Sequence, residues 1–136
     1  MMPVRGGAGL ILNSDSMKPI YVQIAEWLET EILSGSIKRD EKVYSQYQLA
    51  EMLNINPATA AKGLNILADE NIVYKKRGLG MFVSEDAKKM IMAKRRNQTL
   101  KLLVAELVRE AEHLQVTEEE LIQMIQEAKR DLKGDT

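Results

Sequence analysis

Cysteine is absent from this sequence of 136 residues, and histidine occurs once. Without cysteine there is no disulfide framework, no thiol nucleophile and no zinc–thiolate site, which is typical of a protein in a reducing compartment. The single His113 lies in a charged run and has no second histidine with which to hold a metal ion or form a catalytic dyad. The sequence also lacks a glycine-rich phosphate loop and a nucleophile paired with a base. We therefore expect no metal ion, no cofactor and no enzymatic activity.

Long apolar runs and an excess of positive charge are missing as well. No run approaches the roughly 20 apolar residues that cross a bilayer, and residues 6–13 are too short and too weakly flanked for a signal peptide. We therefore expect a cytoplasmic protein with no membrane partner. Aromatic residues make up 4% of the chain and hydrophobic residues 45%, so a core would be mainly aliphatic. Because the net charge is −1, a nucleic-acid surface would have to be local.

A regular apolar pattern begins after a turn-rich segment, residues 1–18, which we interpret as a leader. Apolar residues then recur at every fourth position: Ile20, Ile24, Leu28 and Ile32. This spacing predicts an amphipathic helix. Pro19 suits its first turn, and Gly35 suits a left-handed cap at its end. Residues 36–43 then predict a turn with a short strand.

Two helices separated by a tight turn are predicted next. Ser45 and Gln48 match a capping box, in which the serine hydroxyl accepts from the N–H three residues on and the glutamine reaches back. Asn56 and Pro57 start the second helix as its N-cap and first helical residue. Small and aliphatic side chains mark the buried face of this helix: Ala60, Leu64 and Leu67. Two such helices about three residues apart are the outline of a helix-turn-helix.

A hairpin and further helices follow. Two β-prone runs, 72–76 and 80–83, flank a tip that contains glycine, and a basic-tipped hairpin after a helix-turn-helix is typical of a winged helix. The helices of the C-terminal part carry apolar stripes that are too small to form an independent core, so we expect them to pair with a second copy of the chain. The expected dimer interface comprises Leu100, Leu103, Val104, Leu107, Ala111, Leu114, Leu121, Ile125, Ala128 and Leu132.

The predicted fold class is therefore mostly α with a small β-hairpin. We expect a winged helix-turn-helix domain at 19–84, after the leader at 1–18. A two-helix antiparallel dimerisation region should follow at 85–136.

Three patches are candidates for contact with double-stranded DNA. The start of the first helix of the pair suits a phosphate and comprises Ser45, Gln46 and Tyr47. The start of the second helix would reach base edges in the major groove and comprises Asn56, Ala58, Thr59 and Lys62. The hairpin tip would place cations near the minor groove and comprises Lys75, Lys76, Arg77, Gly78 and Gly80.

Each patch also has an interpretation without a ligand. Asn56 is explained as a helix cap, Tyr47 as a packing residue, and basic hairpin tips also occur on inert surfaces. The cations at 88–89 and 94–96 are interpreted as a solvated helix face, with contact to the DNA backbone as the alternative. The acidic run within 117–120 is explained by a second capping box and the helix dipole rather than by a metal site.

The segment from Pro19 to Val83 resembles the GntR family of bacterial transcription regulators. The matching motifs keep the family's order and spacing: 19–24 (PIYVQI), 32–35 (ILSG), 49–53 (LAEML), Thr59, 64–67 (LNIL) and 77–83 (RGLGMFV). The short two-helix C-terminus and the segment 56–59 (NPAT) resemble the YtrA-like subfamily. That resemblance implies a tail that serves dimerisation, no large ligand-binding domain, and a role that in this subfamily is often repression of operons for membrane transporters.

The chain departs from the family pattern at several positions. The family's Pro-Gly-Asp turn is replaced by residues 39–41 (RDE), and Tyr47 stands where the family has an arginine that contacts DNA. Asn56 and Pro57 replace the common Ser-Arg pair, and Asn71 replaces the glycine that closes the recognition helix. Without these arginines, we expect the operator sequence to differ from that of well-known relatives.

These observations predict a transcription regulator, a repressor that binds an inverted-repeat operator as a homodimer. The alternative is a winged-helix protein-interaction module that has lost specific DNA binding. The missing arginines and the near-neutral charge favour the alternative, whereas the wing and Lys62 oppose it. No ligand pocket is predicted, and a small-molecule effector stays unknown.

Overall fold

A computed structural model of the protein describes residues 12–14 and 16–134 and divides the chain into two units, one up to Ala93 and one from Lys94 onward. The first unit contains the following elements: α1 (Ile20–Leu33), α2 (Gln46–Leu53), α3 (Pro57–Asp69), β1 (Val73–Lys76), β2 (Gly80–Val83) and most of α4 (Ala87–Arg95). The second unit continues with a π-helical turn (Arg96–Leu100), α5 (Lys101–His113) and α6 (Glu118–Gly134). The prediction of a mostly α fold with one small hairpin is confirmed.

Helix α1 has the bounds that its apolar spacing predicts. Ile24 and Leu28 are completely buried. Ser34 is the C-cap, and the following Gly35 has a φ of 85°. Glycine adopts this left-handed conformation without the steric penalty that a Cβ would bring, and the helix therefore ends here.

The chain before α1 is attached to that helix by side chains. The amide of Gln23 accepts a hydrogen bond from the Asn13 N–H at 2.9 Å, and it donates to the carbonyl oxygens of Asn13 at 2.9 Å and Lys18 at 3.0 Å. Lys18 also forms an ion pair with Glu26 at 2.9 Å. Of the predicted leader, residues 1–11 and 15 lie outside the described residues, and its end is held against α1.

The predicted caps of α2 and α3 are confirmed. The Ser45 hydroxyl accepts from the Gln48 N–H at 3.1 Å, and the Gln48 side chain accepts from the Ser45 N–H at 2.8 Å. In α3, Asn56 Oδ1 accepts from the Ala58 N–H at 2.8 Å, and Pro57 is the first helical residue. These bonds satisfy N–H groups that have no partner within their own helix.

Strands β1 and β2 form an antiparallel hairpin whose register pairs Val73 with Val83 and Lys76 with Gly80. The short strand predicted within 36–43 is reduced to an isolated bridge between Lys42 and Phe82. Backbone bonds on either side of this bridge, from the Val43 N–H to Met81 and from the Val83 N–H to Glu41, are each 2.9 Å long. The segment 41–43 therefore lies beside β2 and fixes the base of the wing.

The core of the first unit is almost entirely aliphatic, as the composition predicts. Its most deeply buried side chains, each at most 1% exposed, come from helices α1 to α4 and the segments between them. They include Ile24, Leu28, Ile37, Leu49, Leu67, Ile72 and Ile91. Ala87 and Ile91 of α4 are part of this core. The first unit therefore extends to Ala93, past the boundary predicted after residue 84.

Helix α3 crosses α1 closely at Gly63. A Cβ at this position would lie 3.0 Å from the carbonyl oxygen of Tyr21 and 3.0 Å from Ile24 Cγ2. Carbon atoms in favourable contact are about 3.5–4.0 Å apart, so this approach needs a residue without a side chain. The crossing sets which face of α3 is covered by α1 and which face remains open.

The helices of the second unit leave apolar side chains uncovered. Leu103 is 55% exposed, Leu114 67% and Leu132 72%. Ala111 of α5 is buried, but most of the large apolar side chains of α5 and α6 remain open to solvent. None of the helices in the described part of the chain is both long and apolar enough to cross a membrane.

The capping box predicted for the last helix is confirmed. The Glu120 N–H donates to the Thr117 hydroxyl at 3.2 Å, and the Thr117 N–H donates to the Glu120 carboxylate at 3.0 Å. The Thr117 hydroxyl also donates to the Glu120 carboxylate, at 3.0 Å. The bond from the Thr117 N–H, followed by this bond from the hydroxyl, holds the pKa of Glu120 below its ordinary value. The acidic run is therefore explained by the start of α6.

Candidate nucleic-acid interface

Helix α3 has one covered face and one open face. Its buried residues are Ala60, Gly63, Leu64 and Leu67. At about 100° per residue, the opposite face carries four residues, all of them exposed: Ala58, Lys62, Asn65 and Asp69. Thr59 lies on the flank and is half-buried. Two of the predicted base-contacting residues therefore share the open face, and Thr59 lies beside them.

Asn56 lies at the start of this open face and has two possible uses. Its Oδ1 already accepts a hydrogen bond from the Ala58 N–H. Its side-chain NH₂ group can still donate, and the residue is exposed. Asn56 can therefore cap α3 and contact a ligand at the same time. Because its free group is the NH₂, the ligand atom that it contacts must be a hydrogen-bond acceptor.

Lys62 is positioned by an aromatic residue of α1. Its Nζ lies 5.4 Å from the centroid of the Tyr21 ring, within the distance at which an ammonium group is attracted to a ring face. The ammonium group of Lys62 therefore lies close to α1 at one end of its side chain, while the residue itself belongs to the exposed face of α3. The sequence did not predict this contact, because the two residues lie far apart in the chain.

The start of α2 presents a second exposed patch. Tyr47 is 70% exposed, so its ring does not pack in the core, and its hydroxyl is accessible. Ser45 and Gln46 are partly exposed, and the Ser45 hydroxyl is engaged in the capping box. The first amides of a helix have no partner within the helix and suit an anionic oxygen.

The tip of the wing carries three cations, of which Lys75 and Arg77 form no ion pair with any described residue. Lys76 Nζ lies 4.5 Å from the centroid of the Phe82 ring. Gly78 has a φ of 78°, a conformation that glycine adopts readily and other residues rarely. The turn therefore gathers three basic residues, all exposed, at a tight, glycine-containing tip.

Lys42 is a fourth cation of the wing that sequence reasoning missed. A Cβ built on Gly80 would lie 2.8 Å from Lys42 Cε, so the Lys42 side chain crosses the backbone of β2 where a side chain at residue 80 would stand. Lys42 is itself exposed. Since the contact depends on pairing with β2, no local pattern around Lys42 predicts it.

Asn65 is the second missed residue, and a local signal for it exists. It follows Lys62 by three residues and Ala58 by seven, which is the spacing of one helix face. Amide side chains can donate and accept hydrogen bonds at the edge of a base. The open face of α3 therefore carries a polar residue one turn beyond the predicted patch.

The base of the wing includes an acidic group as well. The Tyr74 hydroxyl donates to Asp40 Oδ1 at 3.1 Å. Partial desolvation, the hydrogen bond and the charge of Asp40 together raise the pKa of Tyr74 above its ordinary value. Arg39 lies 3.8 Å from Asp40 and 3.4 Å from Glu85. Acidic charge at the base of the wing is thus partly compensated, whereas the tip is purely cationic.

The remaining cationic run is divided between two environments. Lys88 and Lys89 are exposed, whereas Lys94 and Arg95 are half-buried and engaged in interactions. No group of three or more His, Cys, Asp or Glu residues in 12–14 and 16–134 has the arrangement of a metal site.

Comparison with known proteins places this geometry in context. The model of a family described as bacterial regulatory proteins, gntR family, matches residues 20–83. The HTH-type transcriptional repressor YtrA of Bacillus subtilis (strain 168) is 32% identical over 90% of this chain and 94% of its own length. A GntR family transcriptional regulator from Listeria monocytogenes is 32% identical, with a TM-score of 0.69 over 83% of this chain and 97% of that one.

A solved complex with DNA is also similar to this chain. The DNA-binding domain of AraR, crystallised with its operator ORX1, is 27% identical, with a TM-score of 0.50 over 55% of this chain and 93% of that one.

Proposed function

Since the chain belongs to the GntR family, we propose that it is a transcriptional repressor that binds operator DNA through the open face of α3 and the wing. The observation that carries the proposal is the combination, in one unit, of an exposed α3 face bearing Lys62 and a wing tip bearing Arg77. The similarity to the AraR domain bound to its operator supports this use of the fold. The named relatives are regulators, and we infer no catalytic activity.

We propose two kinds of contact for these surfaces. Asn56, Thr59 and Lys62 would face base edges in the major groove, with Asn65 extending the patch. Arg77, with Lys75 and Lys76, would lie against phosphates or in the minor groove. Ser45, Gln46 and the exposed Tyr47 would hold a phosphate and set the register of α3.

The second unit is proposed to form a homodimer. Leu103 is 55% exposed, Leu107 40% and Ile125 45%, and these side chains form stripes that a single copy of α5 and α6 does not cover. Ala111 is already buried, so it would support the interface from beneath rather than at its surface. A two-fold dimer presents two identical α3 helices, and the operator would therefore be an inverted repeat.

The direct test starts from a selection of DNA bound by the full chain from a random pool. The selected site and a scrambled duplex are then titrated at several salt concentrations. Arg77→Ala should weaken binding to both duplexes alike and lower the salt slope by about one. Thr59→Ala and Lys62→Ala should cost about 1–3 kcal/mol on the selected site alone.

A matched control removes an exposed cation outside the proposed interface. Lys101→Ala, in α5, should leave both affinities unchanged. If Thr59→Ala and Lys62→Ala each leave binding to the selected site unchanged, α3 does not read the sequence. If the pool yields no enriched site, the protein-interaction alternative replaces the repressor.

The regulated genes are proposed from the resemblance alone. The relative with 94% of its length covered is the repressor YtrA, and repression of a transporter operon is the role that the subfamily suggests. Footprinting on the region upstream of the chain's own gene tests this proposal, because a repressor of this kind would protect both halves of an inverted repeat there.

A further inference from the structure

A cleft of about 570 Å³ lies in the first unit, between the end of α1, the segment 37–39 and the beginning of α4. Clefts of this size accommodate small organic molecules. Val83, the last residue of β2, lines the cleft, whereas the wing tip lies at the other end of that strand. The cleft is therefore separate from the proposed DNA contacts, and the sequence did not predict it.

The inner part of the cleft is apolar. Ile32, Ile37, Val83 and Ala87 line it and are each at most 4% exposed. Met92, an exposed residue of α4, adds a flexible thioether side chain at the edge. A ligand with a hydrocarbon ring or chain could cover this surface and remove it from water.

The rim of the cleft is predominantly cationic. Four cations and two acids line it, and one of those acids, Glu85, already pairs with Arg39 at 3.4 Å. The ammonium groups of Lys38, Lys88 and Lys89 have no carboxylate partner among the described residues. The surplus of positive charge beside an apolar floor matches an organic anion.

Helix α4 links this cleft to the rest of the chain. Ala87 and Ile91 are buried in the core that also supports α1 and α3, while Lys88, Lys89 and Met92 line the cleft. The chain leaves the first unit through this helix. A ligand in the cleft would touch α1 and α4 together and bias the position of α4 against the DNA-binding helices.

We propose that this cleft binds a small organic anion with an apolar ring or chain, and that its occupancy regulates operator binding. The claim that occupancy regulates operator binding, the regulatory half of the proposal, rests on the proposed function. The claim that the cleft binds an organic anion, the binding half, does not. A ligand changes an equilibrium only through a difference in affinity between two states. Coupling between two sites usually amounts to a change of about 5- to 150-fold in affinity.

The binding half is tested without DNA, on the full chain, with 1-naphthyl phosphate as the probe. Calorimetry should show binding, and amide shifts in NMR spectra should cluster at Ile37, Ser84 and Ala87. Neutral 1-naphthol and inorganic phosphate should each bind at least about tenfold more weakly. Naphthol lacks the negative charge for the cationic rim, and inorganic phosphate lacks the apolar ring for the floor of the cleft.

Variants test the assigned residues. The double variant Lys38→Ala/Lys88→Ala should weaken binding of 1-naphthyl phosphate about tenfold or more, with an unchanged melting temperature. Lys101→Ala/Lys129→Ala, which removes two exposed cations from the second unit, should leave it unchanged. Three outcomes would overturn the site. The first is an equal affinity of all these proteins for 1-naphthyl phosphate, and the second is a set of NMR amide shifts confined to α5 and α6. The third is binding of inorganic phosphate as tight as that of the naphthyl ester.

The regulatory half is tested on the selected operator. Saturating 1-naphthyl phosphate should change the operator affinity of the unmodified chain at least about fivefold and should change that of Lys38→Ala/Lys88→Ala much less. An unchanged operator affinity with the probe bound would overturn regulation while leaving the binding site intact. Failure to select any operator would instead contradict the proposed function.

Discussion

Substituting Gly63 by alanine sets two opposite effects against each other. In an exposed helix interior, alanine is about 1 kcal/mol more favourable than glycine. At Gly63, however, the new Cβ would meet the Tyr21 carbonyl oxygen at 3.0 Å and Ile24 Cγ2 at 3.0 Å, with Ile24 Cβ at 3.2 Å. One of these neighbours is helix backbone, and Ile24 is completely buried, so neither can move without disturbing the core.

The expected result of Gly63→Ala is a net loss of stability. Overpacking a core usually costs about 1–3 kcal/mol. The middle of this range exceeds the gain of about 1 kcal/mol from helix propensity and leaves a net loss of about 1 kcal/mol. For a domain of this size, such a loss lowers the melting temperature by about 4–8 °C. Circular dichroism during thermal and urea unfolding measures it, at one protein concentration, because dimerisation makes the melting temperature concentration-dependent.

Asn65 provides the matched reference within the same helix. It is exposed, so the difference between Asn65→Ala and Asn65→Gly measures the propensity effect alone, about 1 kcal/mol in favour of alanine. If Gly63→Ala stabilises the protein by the same amount as this reference pair, then a Cβ at residue 63 meets no steric resistance, and α1 and α3 do not cross as closely as described.

Three further outcomes are expected from the helix ends and the second unit. Leu107→Asp should yield a monomer in analytical ultracentrifugation while the circular dichroism of the helices persists, and a dimer at micromolar concentration would contradict the assigned interface. Gly35→Ala should destabilise by about 1–2 kcal/mol in urea unfolding, because its φ of 85° penalises a Cβ, and Gly35→Asn should cost less. Because the pKa of Glu120 is lowered on folding, its contribution to stability is present above its ordinary pKa and is lost as the pH falls through its lowered value. Glu120→Gln should therefore be less stable than the unmodified chain near neutral pH, and urea midpoints should converge in acid; a constant difference at all pH values would argue against the capping interaction.

Local features of this fold were predictable because their partners are close in sequence. The capping bond of Ser45 reaches Gln48 and that of Asn56 reaches Ala58, so the residue types alone indicate where α2 and α3 begin. The left-handed position of Gly35 is similarly a property of one helix end. For such elements, the chemistry of two to four consecutive residues decides the structure.

Features that depend on distant partners were not predictable from local patterns. An amphipathic pattern shows that α4 has an apolar face, but not that Ala87 and Ile91 belong to the core of the first unit. Likewise, Lys42 joins the wing only because its segment pairs with β2. The π-helical turn at Arg96–Leu100 had no signal either, since its residues are compatible with an ordinary helix.

The ring beneath Lys62 links two positions that would otherwise evolve separately. Tyr21 belongs to α1, outside the helix pair, and its ring lies close to the Lys62 ammonium group. This contact limits the rotamers of Lys62 before DNA binds. Less side-chain entropy is then lost when DNA fixes the ammonium group. A substitution at residue 62 would therefore have one effect on DNA preference beside tyrosine and another beside leucine. A cycle of Tyr21→Leu, Lys62→Ala and the double variant would express this epistasis as a non-additive change in operator affinity.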